Sequence, residues 1–444
     1  AQCQQKIIYI IDDYHLITNN KIHEMIEFLI DHLPPHIHLI ISTRSDPPLP
    51  ISRLRSQNQL TELRATDLSF TLEEASEFFN TQFKFHLSHQ DLSSLEVRTE
   101  GWITGLQLAA LSMQGVENKS AFIKNFTGSN RYIVDYLFDE VIALQSEQTR
   151  EFLLQTSVLD RLSAPLCDAV TQRNDSQQML DELEKSNLFI FPLDDERQWY
   201  RYHHLFGDLL KQRLHSESND KVSVLYRRAS QWFEEQNYIN EAVKSALAGK
   251  NYSRAVSLLE DHAESMLMRS EISTLNSMLE SLPQEKFLKN PRLCVYNGIT
   301  LLLNSQPLSV AESRIEAAIK SDTSGEVSGE VAAFRALVAS YQGRLKQSVE
   351  LCRKALDVMP EERIFFRSFI IGFLGLNYLW TGEIKAARKA FQEAVITGKK
   401  TGNLMITVLA QCHLAELSVF EADLNKAKTI YEKACESAVD HKNQ

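Results

Sequence analysis

Lys6-Ile-Ile-Tyr-Ile-Ile-Asp-Asp-Tyr-His15 is the stretch of sequence that decides the fold of the first part of this chain. A continuous apolar, β-prone run from Ile7 to Ile11 is followed at once by two carboxylates, Asp12 and Asp13. A short apolar run of this kind predicts a strand buried on both faces of a parallel sheet. Ligand sites in such sheets lie at the carboxyl ends of the strands, where these acids fall. A carboxylate there can hold the magnesium ion that accompanies a nucleoside triphosphate, whereas the competing interpretation is a core strand that ends in a solvated acidic turn.

A second strand is predicted after a helix. Residues 22–33 carry apolar side chains at helical spacing, and His36 to Ile41 form another apolar run. Strand, helix and strand in this order predict a right-handed, parallel βαβ unit. Arg44 follows the second strand, so we expect it beside Asp12 and Asp13. An arginine there could contact the γ-phosphate of ATP, or it could simply pair with the acidic turn of the neighbouring strand.

Composition limits the class of protein. The 444 residues are 43% hydrophobic and 24% charged, which is typical of a globular protein of two to four domains. Only 15 Gly and 11 Pro, with abundant Leu, Ala, Glu and Lys, favour a mostly helical chain. We expect a cytoplasmic protein without a membrane partner, because no apolar stretch is long enough to span a bilayer and no leader opens the chain. Six scattered cysteines without a C-x-x-C pair indicate reduced thiols rather than disulfides or a zinc site.

The formal net charge of −11, with no concentrated basic stripe, argues against nucleic-acid binding by this chain through bulk electrostatics. A positively charged surface supplies most of the affinity for a phosphate backbone. Any DNA binding would therefore need a separate domain.

The second quarter predicts a helical domain followed by a winged helix. Thr71-Leu-Glu-Glu74 is a capping box, and the glycine-containing segment 101–111 leads into a helix of small residues. The segments 188–193 and 198–202 predict a short β-hairpin. Helices followed by such a hairpin are typical of a winged helix.

Two adjacent histidines, His203 and His204, stand where this hairpin meets the next helix. Each could donate a hydrogen bond to a phosphate, or cap the helix. The residues alone favour the capping or core role.

The second half, from about Val222 onwards, changes to paired amphipathic helices with an internal repeat. Turns at Gly343, Gly382 and Ala422 are 39 and 40 residues apart. A period near 40 predicts tetratricopeptide-like (TPR-like) helix pairs stacked into a superhelix with a concave surface. Aromatic residues could line a pocket there, although their helical spacing favours packing between repeats. These aromatic residues are Phe365, Phe366, Phe369, Phe373, Tyr378 and Trp380.

Three stretches of sequence resemble the MalT-like large ATP-binding LuxR-family regulators, which belong to the STAND class of signal-transduction ATPases. They are Ile-Ile-Asp-Asp-Tyr-His-Leu-Ile at 10–17, Leu-Ile-Ile-Ser-Thr-Arg-Ser-Asp-Pro-Pro-Leu-Pro at 39–50 and Leu-Arg-Ser-Gln-Asn-Gln-Leu-Thr-Glu-Leu-Arg at 54–64. The segment 202–210 also resembles the family's His-x-Leu-Phe signature. ATP or ADP and Mg²⁺ are the cofactors that the resemblance implies.

The resemblance implies a role for each site residue. Asp12 is the magnesium ligand, Asp13 is the acidic neighbour that polarises the attacking water, and Arg44 is the sensor arginine. His203, with His204 second, contacts the β-phosphate of ADP. In related immune ATPases a proline contacts adenine where this chain has Gln107, so an adenine contact at Gln107 is a weaker expectation than the others.

The family's phosphate-binding loop, G-x-x-x-x-G-K-[ST], does not occur in this sequence, and no helix-turn-helix follows the repeats. We therefore expect a fragment of a longer protein that holds nucleotide poorly and is inactive as an ATPase by itself. The expected fold class is mostly α. Its predicted parts are the C-terminal half of a parallel α/β P-loop ATPase domain (1–65), a helical domain (66–128), a winged helix (129–220) and a TPR-like α-superhelix (221–444).

Two functions from different classes remain open at the level of sequence. The first is a nucleotide switch with slow ATPase activity, which binds a small-molecule inducer or a regulatory protein on its repeats. In the full-length protein it would then self-associate and activate transcription through a DNA-binding domain absent here. The second is a non-catalytic protein-interaction scaffold with TPR-like repeats and a degenerate ATPase half.

Overall fold

The computed structural model describes residues 6–128, 130–217 and 219–440. Most of these residues are helical, as predicted, and the chain divides into two compact units, Ala1–Ala229 and Ser230–Gln444. Each unit is built around its own buried apolar side chains. No helix of the described residues is both long and apolar enough to cross a membrane.

The first unit contains two short sheets and a series of mostly short helices. Its strands and α-helices are β1 (Ile7–Ile11), α1 (Asn20–Asp31), β2 (Ile37–Ile41), α2 (Ile51–Ser56), α3 (Ala65–Leu68), α4 (Leu72–Phe78), α5 (His89–Thr99), α6 (Ile103–Ser112), α7 (Lys119–Lys124), α8 (Arg131–Leu137), α9 (Glu147–Thr156), α10 (Ala164–Thr171), α11 (Ser176–Lys185), β3 (Ile190–Pro192), β4 (Tyr200–Tyr202) and α12 (His204–Glu217). The boundary between the two units falls within the next helix, α13 (Asn219–Glu235).

The predicted βαβ unit is present, because β1 and β2 pair in parallel with Ile7 opposite Ile37. The prediction that these strands are buried on both faces is wrong. Ile8, Tyr9 and Ile10 are each more than half exposed. Among the described residues this sheet has two strands. The apolar side chains of α1 are likewise largely exposed, as Met25 at 70% shows.

In the second quarter of the chain, local sequence patterns correctly predicted a helix start and a β-hairpin. Thr71 and Glu74 form the predicted capping box at the start of α4, since each side chain accepts from the other residue's backbone N–H. Helix α7 begins after Asn118, whose side chain accepts from the Ala121 N–H as the N-cap. The predicted hairpin is present, and β3 and β4 pair antiparallel with Ile190 opposite Tyr202.

The second unit is a series of helix pairs. Its helices are α14 (Ile239–Ala248), α15 (Tyr252–Met268), α16 (Ile272–Glu280), α17 (Gln284–Phe287), α18 (Pro291–Leu303), α19 (Leu308–Ser321), α20 (Ser328–Tyr341), α21 (Leu345–Val358), α22 (Ile364–Trp380), α23 (Ile384–Thr401), α24 (Leu404–Phe420) and α25 (Leu424–Asp440).

The repeat predicted near a period of 40 is present in these pairs. Helices α20 and α21, α22 and α23, and α24 and α25 pack as successive hairpins. Gly343, Gly382 and Ala422 lie in their turns with positive φ, a conformation that glycine adopts without strain, which explains the two glycines. As the helical spacing favoured, Phe365 and Phe366 are fully buried between helices, while Trp380 is 56% exposed.

Candidate functional site

Asp12, Asp13 and Ser42 meet at the carboxyl ends of the two parallel strands. The Ser42 hydroxyl donates to Asp12 Oδ1. The backbone N–H of Asp13 lies 3.1 Å from Asp12 Oδ1 and 3.2 Å from Ser42 Oγ. Asp13 adopts a left-handed conformation with φ 53°, which turns the chain sharply after β1. The parallel pairing therefore brings two carboxylates and a hydroxyl to one edge of the sheet.

A buried tyrosine anchors this turn. Tyr14 is 1% exposed, and its N–H donates to the Ser42 carbonyl at 2.9 Å. Its hydroxyl lies 2.9 Å from Nδ1 of the buried His23 on α1. Burial raises the pKa of the Tyr14 phenol, so it remains a neutral hydrogen-bonding group. The acidic turn is thus held by both β2 and α1.

The donor set at this turn fits magnesium chemistry. Carboxylate and hydroxyl oxygens are hard ligands, and Mg²⁺ binds proteins through one or two carboxylates plus water and substrate phosphate. Within the part of the chain that the structure describes, no three His, Cys, Asp or Glu side chains are grouped so as to hold a metal ion. A cation at Asp12 would therefore need further oxygens from phosphate and water.

Arg44 is exposed and is paired away from the acidic turn. Its Nη2 lies 3.8 Å from Oε2 of Glu140, in the segment after α8. Its carbonyl accepts a hydrogen bond from the side-chain amide of Asn187 at 2.6 Å. The alternative prediction that Arg44 pairs with Asp12 or Asp13 therefore does not describe this structure, which pairs it with Glu140.

His203 is 3% exposed, and both of its ring nitrogens have partners. Nε2 lies 2.9 Å from the Thr99 carbonyl and so donates to it, while Nδ1 accepts from the Leu205 N–H at 3.2 Å. The second contact caps the start of α12. Burial lowers the pKa of His203, although the nearby Glu100 opposes this shift, and the neutral ring fits both contacts. A phosphate contact would require Nε2 to leave Thr99.

Glu100, between α5 and α6, connects these two helices to the winged helix. Arg201 of β4 donates to both Glu100 carboxylate oxygens, at 2.8 and 2.7 Å. His204 contacts Glu100 Oε1 through its backbone N–H at 3.1 Å and its Nδ1 at 2.8 Å. Burial raises the pKa of Glu100, but the Arg201 hydrogen bonds, the His203 ring and the His204 N–H outweigh it and hold the pKa at about 2.

The predicted site residues thus fall into separate groups. Asp12 and Asp13 lie together, Arg44 pairs with Glu140, and His203 and His204 lie at the start of α12. Gln107 is exposed on α6. The structure assigns Gln107 neither to the acidic turn nor to the histidines.

Sequence reasoning missed Ser42, Glu100, Arg201 and Glu140. Ser42 could have been found, because it directly follows β2 as Asp12 directly follows β1. Glu100 and Arg201 are 101 residues apart and carry no local pattern. Glu100 precedes Gly101, and a glycine after a helical segment by itself indicates only a helix end.

The second unit contains a buried charge network of its own. Arg363, before α22, lies 3.0 Å from Glu264 of α15 and 2.8 Å from Glu330 of α20. Its Nη1 also donates to the Tyr296 hydroxyl of α18 at 3.1 Å. Burial raises the pKa of Glu264, and Arg363 opposes that shift. These contacts fix four helices relative to one another, since each buried charge needs its partner.

Comparison with known proteins matches both the winged helix and the repeats. Residues 138–222 match the family described as the MalT winged helix domain, and residues 329–444 match the MalT-like TPR region. The chain is 32% identical over 445 residues to the HTH-type transcriptional regulator MalT of Serratia proteamaculans, in an alignment covering 97% of the chain and 49% of that protein. It is 31% identical over 408 residues to the MalT regulator of Cronobacter sakazakii, covering 90% and 45% respectively.

The chain spans about half the length of the curated relatives it matches. A solved structure of a Signal Transduction ATPase with Numerous Domains (STAND) protein with a tetratricopeptide repeat sensor, from Pyrococcus horikoshii, is similar over 98% of this chain and 69% of that one. Its sequence identity to this chain is 17% and its TM-score is 0.41.

The fold, with the buried His203 between the hairpin and α12, defines a winged-helix protein. Its sequence continues into a TPR-like repeat region. More particularly, this chain is MalT-like. Its winged helix and its repeats are both of the MalT type, and the HTH-type transcriptional regulators named MalT are its relatives.

Proposed function

We propose that this chain works in an ATP/ADP-dependent, inducer-controlled transcriptional regulator of the MalT type, in which the bound nucleotide acts as a switch. The observation that carries the proposal is the placement of Asp12, Asp13 and Ser42 at the carboxyl ends of two parallel strands. That edge is where nucleotide sites of such sheets form. The MalT-type winged helix and repeats support the same conclusion.

In this proposal Asp12 holds Mg²⁺ and Asp13 orients the attacking water. Bound Mg²⁺ would neutralise developing negative charge on the phosphates. Arg44 would leave Glu140 to contact the γ-phosphate, so that ATP and ADP give different arrangements of the winged helix. Gln107, exposed on α6, would contact the adenine base. Hydrolysis, slow in rate, resets the switch.

His203 and His204 would stabilise the ADP-bound resting state. We infer that His203 contacts the β-phosphate of ADP after its Nε2 leaves the Thr99 carbonyl, with His204 beside it. A ligand that bridges two domains stabilises their docked arrangement, so ADP favours the closed form.

The remaining steps concern the repeats and the full-length protein. An inducer or regulatory protein would bind the repeats within 221–444 and favour the open form together with ATP. Opening would lead to self-association and transcription activation in the cytoplasm. DNA would be bound through a helix-turn-helix domain outside these 444 residues.

The test uses the full-length protein that carries this chain. Asp12→Asn should lower Mg²⁺-dependent ATP hydrolysis by roughly 100-fold, because the metal loses its carboxylate. The matched control is Asp195→Asn, an exposed acid of the hairpin turn, which should hydrolyse ATP like the wild type. His203→Ala should release ADP faster and raise basal transcription. A wild-type protein that neither retains nor hydrolyses nucleotide would overturn the proposal.

A second candidate is a non-catalytic scaffold whose repeats bind a protein. The observation that favours it is a row of exposed aromatic residues, Tyr341, Trp380 and Phe420, which end the first helices of three successive repeats. They are 73%, 56% and 72% exposed. Aromatic side chains in such positions are typical of protein interfaces. Full transcriptional response in the Asp12→Asn protein would favour this candidate over the switch.

A further inference from the structure

The turn between α5 and α6 is fixed by its backbone. Glu100 and Gly101 both have positive φ, at 51° and 72°. A Cβ added to Gly101 would lie 2.6 Å from the Phe70 carbonyl oxygen, and the Gly101 carbonyl accepts from the Phe70 N–H at 2.9 Å. Only glycine fits this position, since it needs both a left-handed conformation and a close approach. The turn therefore presents the Glu100 side chain in a defined direction.

The Glu100 carboxylate contacts two elements of the winged helix at once. It accepts both guanidinium contacts of Arg201 on β4. It also accepts from the first backbone N–H of α12, at His204, and lies 2.8 Å from the His204 ring. Bidentate, charge-assisted contacts are among the strongest hydrogen bonds in proteins, and a carboxylate at a helix N-terminus is further stabilised by the helix dipole. With 19% of its side chain exposed, Glu100 is shielded from most solvent screening.

Two residues close to Glu100 in sequence, Thr99 and Trp102, both contact His203. Thr99, just before it, gives its carbonyl to His203 Nε2. Trp102, two residues after it, packs edge-on against the His203 ring with 5.8 Å between ring centroids. Since the same turn supplies all these groups, moving Glu100 away from Arg201 would also change the surroundings of His203.

We propose that the contacts of Glu100 with Arg201 and His204 hold the winged helix against helices α5 and α6. The switch then opens when these contacts break. Glu100 is then a positioning residue, because it acts on the phosphate site through His203. The inference deepens the proposed function and rests on it for the phosphate that His203 would meet.

The test is backbone hydrogen exchange in the 444-residue chain without nucleotide. Glu100→Gln keeps the size of the side chain and removes its charge. Exchange at residues 100–103 and 203–207 should become about tenfold faster, because a charge-assisted junction is replaced by neutral contacts. The matched control is Glu217→Gln, which removes an ion pair with Arg213 inside α12 and should leave both segments unchanged.

Arg201→Lys supplies an independent second variant. It keeps the positive charge and loses the bidentate geometry, so both segments should exchange faster, but by less than in Glu100→Gln. The Glu100→Gln, Arg201→Lys double variant should exchange within about twofold of Glu100→Gln alone, because both substitutions weaken the same interaction.

Unchanged exchange in both segments would overturn the proposal that the Glu100 contacts hold the winged helix in place. Equal acceleration throughout α9 to α11 would also overturn it, since Glu100 would then contribute only general stability. No nucleotide is present in this experiment, so its failure is separate from a failure of the full-length protein to retain ADP.

Discussion

Asn187 donates its side-chain amide to the backbone carbonyl of Arg44 at 2.6 Å, across 143 residues of sequence. Asn187 follows α11 of the winged helix, whereas Arg44 follows β2. Arg44 is therefore positioned through its main chain, which leaves its guanidinium able to exchange Glu140 for another anion. The segment after β2 and the winged helix share this contact.

We expect Asn187→Ala to be more destabilising than Asn187→Gly. Both variants lose the hydrogen bond to Arg44, but Asn187 has φ 50°, where alanine is strained and glycine is not. The alanine variant should lose about 1–2 kcal/mol and the glycine variant about 1 kcal/mol less than that. Urea unfolding measures the difference, and hydrogen exchange at residues 43–46 should rise in both. Equal stability of the two variants would contradict the role assigned to backbone strain.

The junction at His203 should make the first unit sensitive to mild acid. Burial lowers the folded pKa of His203 below its ordinary value of 6.5, so its contribution to stability is present above pH 6.5 and is lost as pH falls through the folded value. The midpoint temperature of thermal unfolding of the first unit should therefore decrease as the pH is lowered from 7 to 5.5. Circular dichroism at a series of pH values measures it.

His203→Asn is the control for this pH dependence. Asparagine can still accept from the Leu205 N–H as an N-cap but cannot titrate. The variant should be about 1 kcal/mol less stable at pH 7 and nearly independent of pH from 7 to 5.5. Glu100 acts in another window, because its folded pKa of about 2 lies below its ordinary 4.5; its contribution is lost from pH 4.5 downwards. A wild-type midpoint that is constant from pH 7 to 5.5 would rule out the His203 effect.

Two glycines of α22 should respond in opposite ways to alanine. A Cβ at Gly375 would lie 2.7 Å from the ring of Phe391, which is fully buried, whereas a Cβ at Gly372 would meet nothing within 4 Å. Gly375→Ala should cost about 1–3 kcal/mol through overpacking. Gly372→Ala should stabilise by about 0.5–1 kcal/mol through helix propensity. Thermal unfolding of the two variants checks this, and stabilisation by both would show that Phe391 can move aside.

Local patterns predicted the elements of this fold, and distant contacts decided the site. The capping box at Thr71, the hairpin before His203 and the turns at Gly343 and Gly382 each depend on residues close in sequence, so they could be predicted. The contacts Glu100–Arg201 and Asn187–Arg44 join residues more than 100 apart, and no periodicity marks them. The exposure of β1 was missed for a related reason. An apolar run indicates that a strand can be buried, but it does not show which other elements pack against that strand.

The exposed sheet has a practical consequence for handling the protein. Among the described residues β1 and β2 pair only with each other, so each has an outer edge of unpaired backbone N–H and C=O groups next to apolar side chains such as Ile8 and Ile40. Such edges are templates for strand pairing between molecules. Concentrated samples of this chain should therefore aggregate through β1 and β2, and Ile8→Lys should reduce that aggregation.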